Sequence, residues 1–462
     1  MNHNQKNHKM NFTNIFQSQK AFFKKHQTKD VEFRKQTLIK LKEILTENEN
    51  RLYDAIYKDF RKGSFDTFLT ELNMVYNEIN YFLKNLDKLT KPKKVKTPFN
   101  LQPGSSHIYA DPLGVTLVIG AWNYPYQLTL VPLVTAIAAG NTCVVKPSEL
   151  PENTMYLLAE LINNNFPSEY LYVAEGGIPE TTELLKLRWD KIFFTGSPKV
   201  GQIVYEAAAK NLVPVVLELG GKSPAIITKT ANLEVAAKRI VWGKFLNGGQ
   251  TCIAPDYLLV EESIKDKFLQ LLKEKIEENA YTEDADHYTS IINKRNYDRI
   301  LNLIDSDKMF YGGKHNKNKL YIEPTILNDV NYKDAVMQEE IFGPVLPVIS
   351  FTNYDETLEK IIEGEKPLAA YLFTNNNEEK DNFLNKVSFG GGCINDTLMQ
   401  ITSDYLPFGG IGNSGIGNYH GAFGFDTFSH QKSVIERATW AEPDLKYPPY
   451  TDKKLHWLKK VM

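Results

Sequence analysis

Residues 115–149, VTLVIGAWNYPYQLTLVPLVTAIAAGNTCVVKPSE, contain the clearest signal of fold class in the chain. It holds two short apolar runs, residues 115–119 and 142–145, on either side of a longer segment that ends at Gly140. Short apolar runs separated by a helix-length segment predict a strand, a crossover helix and a second, parallel strand. Glycine is also the residue that most often terminates a helix. The stretch therefore predicts one unit of a parallel α/β sheet.

The same alternation continues along the chain. We expect further strands at residues 170–174, 191–194 and 213–217, and, after Gly221, at residues 225–227 and 256–260. Alternating strands and helices predict doubly wound parallel sheets with helices on both faces, here in two α/β domains.

Two other segments have different patterns. Residues 11–90 repeat leucine and isoleucine at three- and four-residue steps among charged residues, which predicts amphipathic helices. The lysine-rich run at residues 91–96 is interpreted as a solvated connector rather than an anion-binding patch.

Composition excludes several classes of protein. A chain of 462 residues with 42% hydrophobic and 12% aromatic residues is expected to fold as a globular protein of two or more domains. A net charge of −2 gives no electrostatic reason to expect a nucleic acid partner. No run approaches the roughly 18 apolar residues of a membrane span. The polar residues 1–9 lack the apolar core of a signal peptide and predict a disordered tail.

The chain contains three cysteines, Cys143, Cys252 and Cys393. Their small number and spacing favour a reducing compartment such as the cytoplasm, and predict neither a disulfide framework nor a metal site. Cys143, within an apolar run, and Cys393, after three glycines, are interpreted as structural.

Cys252 and Glu218 are the strongest candidates for chemistry. Cys252 follows Gly248 and Gly249 and precedes Pro255, so we expect a loop that exposes the thiol, although a buried structural cysteine is the common alternative. Glu218 interrupts an apolar run, where a carboxylate is unusual, although a helix cap or an ion pair would also explain it. A thiol can capture a substrate covalently, and a carboxylate can activate water against the adduct.

Two glycine-rich segments could hold a dinucleotide. Residues 410–415 match the pattern G-x-G-x-x-G but follow no strand and precede no long helix, so we reject them. Residues 196–201 lack that pattern, yet they lie between a predicted strand and a predicted helix, which is the context that phosphate binding requires.

Three polar residues follow predicted strands. Lys146 and Glu149 could bind the hydroxyl groups of a ribose at the carboxyl edge of the sheet, or simply begin the next helix. Asn123 could donate to an oxyanion, or could be a turn residue before Pro125.

Six motifs occur in the order found in aldehyde dehydrogenases, and the chain resembles that family from about residue 16 to residue 450. The motifs are AWNYP (121–125), KPSE (146–149), FTGS (194–197), LELGGK (217–222), GQTC (249–252) and QEEIFGP (338–344). The segment from residue 407 to residue 430 is similar to the class three branch, which includes fatty and aromatic aldehyde dehydrogenases.

The resemblance implies roles for the candidate residues. Cys252 would attack the aldehyde, Asn123 and the Cys252 backbone N–H would hold the oxyanion, and Glu218 would activate the water that hydrolyses the thioester to a carboxylic acid. The cofactor would be NAD, with NADP possible, because Glu149 should repel a phosphate on the adenosine ribose. The residues implied in binding it are Lys146, Glu149, Gly196, Ser197, Val200, Gly201, Glu340 and Phe342.

The resemblance also implies an organisation and partners. It predicts a dinucleotide-binding domain with N-terminal helices (1–95 and 113–218), a catalytic domain (219–412), a bridging element for oligomers (96–112 and 428–442) and a C-terminal tail (443–462). We expect a homodimer in the cytoplasm. The substrate would be a medium-chain, long-chain or aromatic aldehyde, with Tyr124, Trp242 and Phe245 as candidates for an apolar lining.

Two alternatives remain open. A CoA-acylating dehydrogenase would pass the acyl group to CoA instead of water, but such enzymes usually lack the equivalent of Glu218. A non-catalytic protein could keep the fold, but no structural role requires Cys252, Glu218 and Asn123 together.

Overall fold

The structure is a computed structural model that describes residues 12–461; the tail predicted at residues 1–9 lies outside this range. The α-helices are α1 (Phe12–Phe23), α2 (Val31–Glu47), α3 (Glu49–Phe60), α4 (Ser64–Thr67), α5 (Asn73–Leu89), α6 (Gln127–Ala138), α7 (Glu152–Asn163), α8 (Ile178–Leu185), α9 (Pro198–Ala209), α10 (Leu233–Phe245), α11 (Lys265–Asn279), α12 (Lys294–Leu301), α13 (Tyr354–Glu363), α14 (Asn377–Lys386), α15 (Gly421–Thr427) and α16 (Asp452–Val461). The strands are β1 (Lys93–Val95), β2 (Gly104–Pro112), β3 (Val115–Ile119), β4 (Thr142–Lys146), β5 (Leu171–Val173), β6 (Lys191–Thr195), β7 (Val215–Glu218), β8 (Pro224–Ile227), β9 (Tyr257–Glu261), β10 (Met309–Tyr311), β11 (His315–Asn316), β12 (Tyr321–Ile322), β13 (Thr325–Leu327), β14 (Val345–Phe351), β15 (Ala369–Phe373), β16 (Gly391–Ile394), β17 (Gly415–Ile416) and β18 (Ser429–Arg437).

The first sheet has the strand order β17-β7-β6-β3-β4-β5. Its five strands from β3 to β7 are parallel, and β17 adds an antiparallel edge. Strands β4 and β5 follow on one side of β3, and β6 and β7 follow on its other side. The direction in which strands are added to the sheet therefore reverses between β3 and β6. Open α/β sheets bind ligands at the carboxyl ends of the strands beside such a switch point.

The second sheet has the order β10-β13-β14-β9-β8-β15-β16, and only its edge strand β10 is antiparallel to its neighbour. The two predicted parallel α/β sheets are therefore confirmed. Their strands differ from the predicted limits by a few residues; the strand predicted at residues 213–217 runs from Val215 to Glu218.

A third sheet, β1-β2-β18, forms a small separate β element. Strand β18 pairs antiparallel with β2 along nine residues, from Ser429 opposite Pro112 to Arg437 opposite Gly104. The interpretation of residues 91–96 as a connector is wrong for Lys93–Val95, which pair with Ser106–Ile108 as an exposed edge strand. Strand pairing with a distant segment overrides the local preference of the lysines for solvent.

The helices predicted at residues 11–90 are α1 to α5, and they cover the first sheet. Helix α5 packs on α6, every residue of which is buried. Arg34 of α2 holds the carboxyl end of α6, because its Nη1 donates to the carbonyl of Ala138 at 3.0 Å. No helix within residues 12–461 is both long and apolar enough to cross a bilayer.

The chain passes from the first sheet to the second between β7 and β8. Glu218 is the last residue of β7, and Pro224 is the first residue of β8. This short crossing places the end of the first sheet beside the beginning of the second, and the candidate site is built around it.

Candidate active site

Cys252 lies in the turn that precedes β9. The N–H of Ala254 donates to the carbonyl of Thr251 at 3.0 Å and closes the turn. Gly249 makes the turn possible, since its φ is +74° and a Cβ there would overlap the carbonyl of Gly343. Cys252 is half-buried and unpaired. The predicted loop position is thus confirmed.

Asn123 is bonded directly to this loop. Its Nδ2 donates to the carbonyl of Gln250 at 3.0 Å, and its own carbonyl accepts from Asn247 Nδ2 at 2.9 Å. The Asn247 amide also donates to the Gln250 carbonyl at 3.2 Å. Tyr124 makes a further link, since its hydroxyl lies 2.6 Å from Thr251 Oγ1. The structure therefore brings Asn123 to the backbone two residues before Cys252.

Glu218 ends β7 as a buried carboxyl group, 3% exposed. Among the described residues neither of its oxygens has a hydrogen-bond partner. Burial raises the pKa of Glu218 well above its ordinary value. A buried carboxyl group with both oxygens free is suited to hold a small polar molecule such as water.

The thiol of Cys252 has a raised pKa. Burial is the main cause, followed by the negative charges of Glu340 and Glu218. The two carboxylates come from separate segments of the chain, and both contribute to the raised pKa of this thiol.

Glu340 and Phe342 lie in the loop before β14. Burial, with a contribution from Asp256, raises the pKa of Glu340 to about 8, and Gly221, Lys222 and Lys244 oppose the shift. The Phe342 ring lies edge-on to Trp122, with the ring centroids 5.4 Å apart.

Two residues that the sequence analysis did not select hold this loop. Lys222 Nζ lies 2.6 Å from Asp256 Oδ2 and donates to the carbonyls of Val336 and Glu339 at 3.0 and 2.9 Å. The other oxygen of Asp256 accepts from the Ile341 N–H at 3.0 Å. Lys222 is the last residue of the LELGGK motif, and its place in that motif was the sequence signal that it could have a role at the site.

The remaining predicted cofactor residues lie at carboxyl ends of the first sheet. Lys146, at the end of β4, is 1% exposed, and its Nζ donates to the carbonyl of Pro147 at 2.6 Å. Burial lowers its pKa, while Glu149 and Glu180 oppose the shift. Glu149 is exposed and lies beside Gly177.

Residues 196–201 follow β6 and form the start of α9, which begins at Pro198. Ser197 is the N-cap of α9 and accepts a bond from the N–H of Val200, which is exposed. Gly201 allows α9 to approach Leu219, since a Cβ there would lie 2.6 Å from Leu219 Cδ2. A Cβ at Gly196 would lie 2.6 Å from the Phe194 ring.

The rejected glycine pattern at residues 410–415 is followed by the short strand β17 and not by a long helix. Gly415 pairs with Glu218 at the edge of the first sheet. The segment supports β7 and offers no helix N-terminus to a phosphate.

A dinucleotide fits the cofactor residues that the structure brings to one region. The N-terminus of α9, with glycines on either side, can approach phosphate. The lysine and the carboxylate that follow β4 can bind hydroxyl groups. Oxygens of Glu218 and Thr195 have no hydrogen-bond partner within the part of the chain that the structure describes. A cysteine in a loop, next to a sheet whose carboxyl end fits a dinucleotide, is the arrangement expected of an oxidoreductase that acts on a carbonyl group.

The chain belongs to the aldehyde dehydrogenase family, whose sequence model matches residues 2–434. It is 46% identical over 442 residues to 4,4'-diaponeurosporen-aldehyde dehydrogenase of Staphylococcus aureus, covering 95% of this chain and 96% of that protein. It is 44% identical to the dimeric NADP-preferring aldehyde dehydrogenase of Mus musculus, covering 95% and 98% of the two chains. A solved structure of the substrate-bound state of Staphylococcus aureus AldH superposes with a TM-score of 0.95 at 44% identity, covering 97% and 99%.

The protein is therefore an NAD(P)-dependent aldehyde dehydrogenase. The predicted family, fold and enzyme class are confirmed.

Proposed function

We propose that Cys252, Asn123 and Glu218 form the catalytic site for oxidation of an aldehyde to a carboxylic acid. The observation that supports this most strongly is the bond between the Asn123 amide and the Gln250 carbonyl, which joins a neutral donor to the loop of the thiol. Replacement of Cys252 by alanine tests the proposal, because retained NAD(P)H formation in that variant would refute it.

In the first half of the reaction the Cys252 thiol loses its proton to solvent water, and its sulfur bonds to the carbonyl carbon. The aldehyde oxygen becomes an alkoxide in a thiohemiacetal. The second N–H of the Asn123 amide and the Cys252 backbone N–H donate to that oxygen. One positioned donor of this kind lowers a barrier by about 3 kcal/mol.

A bound NAD or NADP would accept the two electrons that are lost when the thiohemiacetal becomes a thioester. Lys146 and Glu149 would hold its adenosine ribose, and residues 196–201 its pyrophosphate and adenine. Glu340 and Phe342 would hold the nicotinamide ribose.

In the second half Glu218 takes a proton from water, and the water oxygen attacks the thioester carbon. The carbon–sulfur bond then breaks, the carboxylic acid is released, and the proton held by Glu218 passes to the sulfur and restores the thiol. The free oxygens of Glu218 support this role. Because the pKa of Glu218 is raised, proton transfer to it from water is more favourable than to an ordinary carboxylate.

The substrate we propose is an apolar aldehyde, medium-chain, long-chain or aromatic. Buried Tyr124 and Phe245 and half-buried Trp242 are candidates for its lining. One relative is named for its action on 4,4'-diaponeurosporen-aldehyde. Steady-state rates with NAD and NADP across aldehydes of increasing chain length test this, and a preference for the shortest aldehyde would contradict it.

Transfer of the acyl group to CoA is the rival outcome. Because Glu218 is present and buried with both carboxyl oxygens free among the described residues, we propose hydrolysis. Product analysis separates the two: free acid formed at a rate independent of CoA supports hydrolysis, and acyl-CoA as the main product contradicts it.

We propose a homodimer in the cytoplasm. Strand β18 has an open edge with exposed Val434 and Ile435, and an open strand edge is suited to pair with a second copy. One relative is named dimeric. The unpaired cysteines support a reducing compartment. Sedimentation equilibrium measures the assembly, and a monomer at micromolar concentration would contradict it.

We also propose that the sheets correspond to the predicted domains. The dinucleotide-binding domain would comprise residues 1–95 and 113–218, the catalytic domain 219–412, the bridging element 96–112 and 428–442, and the tail 443–462. The two parallel sheets and the sheet of β1, β2 and β18 support this division, except that β1 lies within residues 1–95 but pairs in the bridging sheet.

A further inference from the structure

Lys62 and Glu71 form an ion pair in the protein interior. Lys62 Nζ lies 2.8 Å from Glu71 Oε1, and both side chains have no exposed surface. Removing two charges from water costs more free energy than their attraction returns unless further hydrogen bonds satisfy them. The other contacts of the two side chains therefore indicate what the pair does.

The second oxygen of Glu71 holds the start of helix α6. Glu71 Oε2 accepts from the N–H groups of Tyr126 and Gln127 at 2.8 and 3.2 Å. These are among the first N–H groups of the helix, which a carboxylate satisfies well. Asn123 lies three residues before Tyr126, in the turn that leads into the helix. Glu71 therefore fixes the end of the turn that carries the Asn123 amide.

The ammonium group of Lys62 reaches the loop of the thiol through an aromatic ring. Its Nζ lies 4.0 Å from the centroid of the Tyr124 ring, within the range of a cation–π contact. The hydroxyl of that ring is bonded to Thr251, the residue before Cys252. One buried ion pair thus contacts both the turn of the proposed oxyanion donor and a side chain bonded to the nucleophile loop.

We infer that Lys62 and Glu71 are positioning residues, which set the distance between the Asn123 amide and the Cys252 thiol. The inference rests on the roles proposed above for Asn123 and Cys252. Neither Lys62 nor Glu71 acts on the aldehyde; both act through residues 123–127 and Tyr124. The competing explanation is that the pair only stabilises the fold.

A double substitution makes the test independent of folding defects. Burial lowers the pKa of Lys62 and raises that of Glu71, while each charge opposes the shift of the other. A single substitution would leave one buried charge unpaired, whereas Lys62→Met with Glu71→Gln removes both charges together. The matched control is Lys35→Met with Asp87→Asn, which removes a 2.7 Å pair on α2 and α5 that is far more exposed.

The rate of thioester formation is the decisive measurement. In the full-length double variant we expect the first-turnover burst of NADH to slow by about 100-fold, since a misplacement of about 1 Å at the reacting atoms costs that much. The KM for NAD should stay unchanged, and the control pair should match the wild type in burst rate. An unchanged burst rate in a double variant that is folded by circular dichroism would overturn the inference, even if its melting temperature fell.

A double-mutant cycle with Asn123→Ala shows whether the pair acts through Asn123. If it does, the pair substitution costs less than about threefold when Asn123 is already alanine, because coupled residues are not additive. A full additional loss overturns the inference but leaves the role of Asn123 intact. An unchanged rate in Asn123→Ala alone would refute the oxyanion role in the proposed function, and the inference with it.

Discussion

Replacement of Asn123 by alanine should separate catalysis from stability in this protein. The Asn123 amide has two N–H groups. The Gln250 carbonyl takes one of them at 3.0 Å, which leaves one for the oxyanion. Loss of one such donor lowers kcat by about 100- to 1,000-fold, equivalent to about 2.7–4 kcal/mol of barrier.

The stability cost of the same substitution should be small, for a reason visible in the site. The Gln250 carbonyl also accepts from Asn247 Nδ2 at 3.2 Å, so it keeps a partner when the Asn123 amide is removed. The variant then loses one net hydrogen bond, worth about 0.5–1.5 kcal/mol, and no buried carbonyl is left unpaired. Stopped-flow measurement of NADH formation gives the barrier, and urea denaturation gives the stability.

Asn247→Gly is the matched control. Glycine tolerates the φ of +57° at this position, and the substitution removes an amide from the same carbonyl but keeps Asn123. We expect this control to lose stability and to retain most of its kcat. The reasoning fails if Asn123→Ala keeps kcat within about threefold of the wild type, or if the two variants lose kcat equally, since only one of them lacks the donor.

Further predictions concern the carboxylates. Glu218→Gln should keep the first-turnover burst but accumulate an acyl-enzyme detectable by mass spectrometry, because no base activates water; free acid released at the wild-type rate would contradict this. In the wild type, hydrolysis of the thioester should speed up as the pH rises through the pKa of Glu218, which burial raises above the ordinary carboxyl value, because the ionised fraction of Glu218 grows with pH; a flat profile would exclude Glu218 as the base. Glu340→Gln should speed alkylation of Cys252 by iodoacetamide at pH 8 without cofactor, because removing this negative charge lowers the thiol pKa. The same substitution at the exposed neighbouring residue, Glu339→Gln, should not change the alkylation rate. Slower alkylation in Glu340→Gln would contradict the assigned cause of the raised pKa. Glu149→Gln should raise kcat/KM for NADP relative to NAD because it removes a charge that repels the ribose phosphate, and an unchanged ratio would show that Glu149 does not select the cofactor.

The sequence predicts the two parallel sheets well, because helices cover both faces of such a sheet and its strands are therefore short, continuous apolar runs. It also predicts the surroundings of Cys252, since only glycine fits beside Gly343 and the loop pattern reflects that restriction. Both signals are local. Each depends on residues adjacent in the chain to the feature that they predict.

Other features depend on contacts between distant segments and leave no local signal. Lys93–Val95 consists of two lysines and a valine, and becomes a strand only because β2 lies beside it. Lys62 and Glu71 have the sequence surroundings of surface residues on amphipathic helices, yet both are fully buried. Their burial follows from how α6 packs against the N-terminal helices, which no pattern in residues 60–72 indicates.

The short crossing between β7 and β8 has a consequence for exchanging parts between relatives. Glu218 belongs to the sheet of the proposed cofactor domain, whereas Cys252 lies in the turn that leads into β9 of the other sheet. A chimaera joined at Gly220 would inherit its water-activating group from the parent that supplies the cofactor half, and its nucleophile from the other. The nucleophile that forms the thioester and the group that promotes its hydrolysis would then come from different parent enzymes, so the two rates could be changed separately.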